Sequence, residues 1–127
     1  MRFHFFGHGR IRAAHATTLE ITKDADVTEQ GDCIIGVKAD FDAMKLRNLK
    51  GPYVLILSNG KIEEKVHFTA CPGFSDEKEI VIRKSEFLSE RTLGIHADKA
   101  AKDVMLCFTA PDQQFTAEIV KDEETAE

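Results

Sequence analysis

A chain of 127 residues, 43% of them apolar and 31% charged, has the material for one ordinary core under an ordinary solvated surface. Its formal net charge of −5 argues against a protein that grips nucleic acid through a broad basic face. No apolar run approaches the roughly 20 residues of a membrane-spanning helix, and the N-terminus MRFHFFGHGR lacks the apolar stretch and cleavage site of a signal peptide. The three cysteines, Cys33, Cys71 and Cys107, are odd in number and widely spaced. A cytoplasmic protein with free thiols and no disulfide is the expectation.

The first predicted strand is Arg2–Phe6. The second runs from Ala14 to Thr22, where Leu19 and Ile21 alternate with Thr18, Glu20 and Thr22. A third, Cys33–Lys38, enters through Gly31-Asp32. A helix is expected over Phe41–Leu49, with Asp40 as N-cap and Gly51 and Pro52 as stop signals. Tyr53–Leu57 is a nearly continuous apolar run, the pattern of a strand buried on both faces. Asn59-Gly60 then predicts a tight type I′ hairpin into Lys61–Phe68, because both residues tolerate positive φ. Further strands are expected at Glu79–Lys84, Arg91–Ile95, Met105–Thr109 and Phe115–Val120. A second helix, capped by Asp98, is expected over Lys99–Leu106. The acidic segment 121–127 reads as a disordered tail.

These elements fall into two related halves. Ile35-Gly36-Val37-Lys38-Ala39-Asp40 echoes Leu93-Gly94-Ile95-His96-Ala97-Asp98 at an offset of 58. Upstream, His4-Phe5 echoes His67-Phe68 at an offset of 63, and the same offset sets Leu19 on Ile82. That alignment fails locally, because Ile21 then falls on Lys84. The expectation is one domain, residues 1–120, made of two repeats at about 2–57 and 61–120. Its class is mainly β (α+β), a pseudo-two-fold duplicated β-barrel-like fold with two short helices, since closure removes exposed strand edges. Gly31-Asp32 resembles the glycine-aspartate box of cradle-loop barrels.

Four longer motifs, FxGH at Phe5–His8, HATTLEIT at His15–Thr22, GDCIIGVKAD at Gly31–Asp40 and RKSEFLSERTLGIHADKAAKD at Arg83–Asp103, together resemble an archaeal family known as domain of unknown function 371. The resemblance spans nearly all of the chain. It implies an archaeal, cytoplasmic source and brings no activity with it. The chain departs from the family's pattern at Ala70-Cys71-Pro72, where Gly-His-Pro, repeating Gly7-His8, is usual. That departure weakens any role needing a histidine at both symmetric places.

The strongest chemical pattern is cationic. Arg83, Lys84 and Ser85, then Arg91 and Thr92, then Lys99 cluster around one predicted turn and one predicted helix start, chemistry that suits a phosphate or carboxylate. The first half does not repeat these charges. The leading expectation is a binding protein for a small anionic ligand or nucleotide. One alternative is a homo-oligomeric protein-interaction subunit. Another is an enzyme using His8 and His15 with nearby carboxylates such as Asp32, with Cys33 as a conceivable nucleophile. Asp40 and Asp98 are explained by helix capping. No cofactor and no metal site is expected, because no CxxC or HxH pair exists and regular strand geometry sets His4 and His8 about 13 Å apart. Nucleic acid is the least expected partner, since the aromatic residues sit in strand-like segments rather than on a basic face.

Overall fold

The computed structural model describes residues 1–27, 31–105 and 111–123. Within them lie eight strands: β1 (Arg2–Phe6), β2 (Thr18–Thr22), β3 (Ile34–Gly36), β4 (Gly51–Ser58), β5 (Glu63–Ala70), β6 (Glu79–Arg83), β7 (Thr92–Ile95) and β8 (Gln114–Lys121). One short helix, α1 (Ala43–Leu46), and a single 3-10 turn at Ala101–Asp103 complete the described elements. No helix among them is long and apolar enough to cross a membrane.

The strands form one mixed sheet in the order β1-β8-β4-β5-β7-β6-β2-β3. Pairing is antiparallel except for β2 with β3 and β6 with β7. The expected barrel is thus corrected to an open sheet whose outermost strands are β1 and β3. Those ends meet at one isolated antiparallel bridge, where Phe6 N donates to Val37 O at 2.8 Å and Val37 N to Phe6 O at 2.9 Å.

Period-two alternation decides which face is apolar. Phe3 and Phe5 of β1, Leu19 and Ile21 of β2, Leu55 and Leu57 of β4, Ile80 and Ile82 of β6, and Phe115 and Ala117 of β8 all fall in one core cluster. Phe5 stacks on Phe115 at 5.3 Å between ring centroids. Each such ring contributes about 1.5–3 kcal/mol by leaving water. Gly36 and Gly94 are glycine for a packing reason: a Cβ on either would run into the ring of Phe5 or Phe68 respectively. The parallel pairings slip register at these places, between Glu20 and Ile21 and between Val81 and Ile82. The chain then turns through left-handed residues, Lys38 at φ 53° and His96 at φ 54°.

Both helices are shorter than expected, and their caps differ. Asp42, not Asp40, caps α1 by accepting from Met44 N. Asp40 is taken up instead by β1: its carboxylate accepts from His4 N, and its own N–H donates to His4 O. Asp98 treats β5 in the same way, accepting from His67 N and donating to His67 O. With their carboxylates engaged by strands, neither Asp40 nor Asp98 caps a helix, and a single turn follows each.

The second strand starts at Thr18 rather than Ala14. His15 Nδ1 accepts from the N–H groups of Thr17 and Thr18 and folds that segment into a turn. The hairpin at Asn59-Gly60 is also wider than a two-residue turn. Ser58 pairs with Glu63, only Gly60 of the two has positive φ, and Asn59 Oδ1 accepts from both Lys61 N and Ile62 N. Lys121 closes β8 and Asp122 is buried. Residues 124–127, Cys107 and most of the expected strand Met105–Thr109 lie outside the described residues, while Cys33 and Cys71 are free thiols.

Candidate acidic cluster and adjoining cleft

Glu20 sits between Leu19 and Ile21, so its side chain leaves the sheet on the face opposite the core. It is nevertheless only 4% exposed. Three segments of the chain bury it. Cys33, just before β3, donates its thiol to Glu20 Oε1 at 3.4 Å. Glu79, at the start of β6, is hydrogen-bonded to Glu20 side chain to side chain. Arg91, just before β7, places Nη1 3.1 Å from Glu79 Oε1 and 3.7 Å from Glu20 Oε1.

Two carboxylates can share a hydrogen bond only if one of them holds a proton. Burial, aided by Glu79, pushes the Glu20 carboxyl from its ordinary 4.5 up to about 8. Burial and the neighbouring Glu20 push the Cys33 thiol up to about 12. The hydrogen bond that Arg91 donates to Glu79 raises its guanidinium, outweighing its burial. At neutral pH the cluster therefore holds a protonated Glu20, a cationic Arg91 and a neutral thiol. Such a thiol is a poor nucleophile.

Arg83 lies beside this group at the end of β6. Its Nε donates to Thr92 Oγ1 at 3.1 Å, and its guanidinium stands 4.8 Å from the centre of the exposed Phe87 ring. Burial and the neighbouring Arg91 lower its affinity for its proton, without neutralising it. Thr92 Oγ1 in turn meets Ser89 Oγ at 3.0 Å. Thr92 and Ser89 also line a cleft of about 430 Å³ at the end of β5, with Lys50, Cys71, Leu88 and Ile95 among its other walls. The lining is almost wholly apolar, and Lys50 is exposed at it.

The cations expected to converge on an anion are thus divided. Arg83 and Thr92 stand together beside the cleft. Arg91 is nearby, already bridging two carboxyl groups. Lys84 turns to Asp103 at 2.9 Å and Lys99 to Glu64 at 3.5 Å. Ser85 serves its own loop, accepting from Phe87 N and His96 N. Among the histidines, His8 Nε2 meets Asp26 at 3.2 Å while its Nδ1 accepts from Arg10 N. His15 is folded onto Thr17 and Thr18, and its N–H donates to the carbonyl of Asp32. Cys71 is a buried wall of the cleft.

Sequence reasoning missed Glu20, Glu79 and Lys50. The signal available for Glu20 was a lone carboxylate between two core positions, which ordinary alternation explains away. Nothing along the chain joins it to Glu79 or Arg91, because the sheet order alone makes β2 and β6 neighbours.

Known proteins extend the comparison. The family described as "Domain of unknown function (DUF371)" matches residues 3–122. A protein of Methanocaldococcus jannaschii named "Uncharacterized protein MJ0206" is 40% identical over 111 residues, covering 77% of this chain and 79% of the relative.

Proposed function

The chain belongs to the family described as domain of unknown function 371, and we propose that this member binds a small amphipathic anion, with its apolar body in the cleft and its charged end toward Arg83 and Lys50. One observation carries the reading: Thr92 is shared. Its side chain lines the apolar cleft and its hydroxyl accepts from Arg83. Among the described residues Arg83 meets a hydroxyl and a ring rather than a carboxylate, whereas Lys84, Arg91 and Lys99 each meet a carboxylate. An apolar pocket supplies the larger part of the affinity, and a shielded cation fixes the orientation.

Titration calorimetry with octanoate, octanol and acetate tests this. Octanoate is expected to bind with a Kd below about 1 mM and at least about tenfold more tightly than octanol, a difference of about 1.4 kcal/mol. Acetate should bind negligibly. Arg83→Gln with Lys50→Gln should abolish the preference for octanoate. Equal affinity for octanol and octanoate would reject an anion site.

Two further readings have support of their own. Exposed Phe87 and Leu88 beside the cleft, 61% and 62% accessible, favour a contact with a second copy of the chain, which sedimentation of the Leu88→Ser variant would test. A duplicated origin of the two halves is supported by their pairings. Phe6 bridges Val37 as Thr69 pairs with Ile95, Gly36 faces Phe5 as Gly94 faces Phe68, and β2 pairs with β3 as β6 with β7. In this reading Glu20 corresponds to Val81 (both precede the register slip), which removes the mismatch of Ile21 with Lys84 and sets Ile21 on Ile82.

A further inference from the structure

Resting on the anion-binding reading, we infer that the ligand is a monoanion, a carboxylate with an apolar body, and that it is held with a proton retained on the Glu20–Glu79 pair. The argument is one of charge and placement. Glu20 is faced by Glu79 and Arg83 from β6, by Arg91 from the turn before β7, and by Cys33 from the segment before β3. Asp32 acts on the Cys33 thiol, whereas the charges that act on Arg83 are those of Arg91, Glu20 and, were it ionised, Cys33. With one proton between the two carboxyl groups, their single negative charge is matched by Arg91, and Arg83 is left as one unmatched positive charge. Once that proton leaves, two carboxylates match two guanidinium groups.

The attraction for an anion at Arg83 therefore exists only in the protonated state of the pair. Linkage makes the converse equally true: an anion held at Arg83 favours the proton on Glu20–Glu79. A single unmatched charge also selects a monoanion over a dianion. A dianionic phosphate would bring a second charge into a partly buried place, where the exposed Lys50, screened by water, balances it only weakly.

The test uses the full chain, with octanoate and octyl phosphate as probes, by calorimetry at pH 6.5, 7.5 and 9.0 in buffers of differing ionisation enthalpy. Octanoate is expected to bind at pH 6.5 and to weaken by at least about tenfold at pH 9.0, with uptake of protons on binding between them. Glu20→Gln, which is neutral at every pH, should retain octanoate binding at pH 9.0 and show no proton uptake. At pH 7.5, where octyl phosphate is mainly dianionic, it should bind more weakly than octanoate. Octanoate binding that is equal at all three pH values, with no proton uptake, overturns the inference and leaves the anion site standing. Tighter binding of octyl phosphate overturns the choice of a monoanion. Failure of octanoate to bind at any pH overturns the reading on which the inference rests.

Discussion

Glu20 and Glu79 meet side chain to side chain through a hydrogen bond that one proton must occupy. The folded protein thus keeps a proton that the unfolded chain releases near pH 4.5, and gives it up only near pH 8. Between those values the folded state binds more protons than the unfolded state, so stability falls as pH rises. The stabilisation is complete below about 4.5 and gone above about 8, with a slope of at most about 1.4 kcal/mol per pH unit. Thermal unfolding from pH 5 to pH 8.5 should show this decline in the wild type, and Glu20→Gln should flatten it. A decline of the same slope in the variant would assign the effect to other groups.

The same burial protects Cys33. With its thiol pushed up to about 12, the thiolate fraction at pH 8 is about 1 in 10,000, against about 1 in 4 for a free cysteine. Alkylation with iodoacetamide at pH 8, followed by peptide mapping, should leave Cys33 at least about 100-fold slower than in the unfolded chain. Labelling at the unfolded rate would mean that Glu20 does not hold the thiol.

Gly36→Ala and Gly94→Ala should each destabilise by about 1–3 kcal/mol, because each adds a methyl group into an aromatic ring already in the core. Phe5→Leu should recover part of the loss in the first variant and none in the second, and Phe68→Leu the reverse. Denaturant unfolding of the four single and four double variants reads this directly. Gly73→Ala, where an added Cβ meets nothing within 4 Å, is the control and should be neutral.

Asp40→Ala and Asp98→Ala should each cost about 1 kcal/mol, the worth of a charge-assisted bond to a strand N–H at a solvated edge. The Asp40 carboxyl is held below its ordinary value because the N–H and ring of His4 outweigh the opposing effect of burial. Its contribution is therefore present above its unfolded value and fades as pH falls toward the folded one. Amide hydrogen exchange should show faster exchange at His4 in Asp40→Ala and at His67 in Asp98→Ala. Unchanged exchange would mean that these carboxylates do not hold the strands.

The sheet was legible where apolar and polar residues alternate. Strands β1, β4, β6 and β8 fall within two residues of their expected ends, β1 and β8 on their alternation and β4 on its nearly continuous apolar run. The helices were not, because Asp40 and Asp98 have the residue type of a cap and the role of a strand clamp. That role depends on His4 and His67, 36 and 31 residues away. His15 hid the start of β2 by the opposite route, through bonds to its immediate neighbours. Of the cationic set, Arg83 with Thr92 was recoverable, since nine residues and one turn separate them. The Glu20 pair was hidden, because its meaning comes from neighbours across the sheet and from burial on a face that alternation assigns to water.

The bridge between Phe6 and Val37 has a consequence beyond the fold. An open sheet presents two unpaired edges, each a template on which another chain can add a strand and begin a fibril. Here the outermost strands occupy one another through two hydrogen bonds. The shield is mutual: Val37→Pro would delete one of its donors and loosen both edges together, leaving the Asp40 clamp on His4 in place. Such a variant should lose solubility on storage more steeply than its loss of stability accounts for, a divergence that light scattering set against the unfolding midpoint would register.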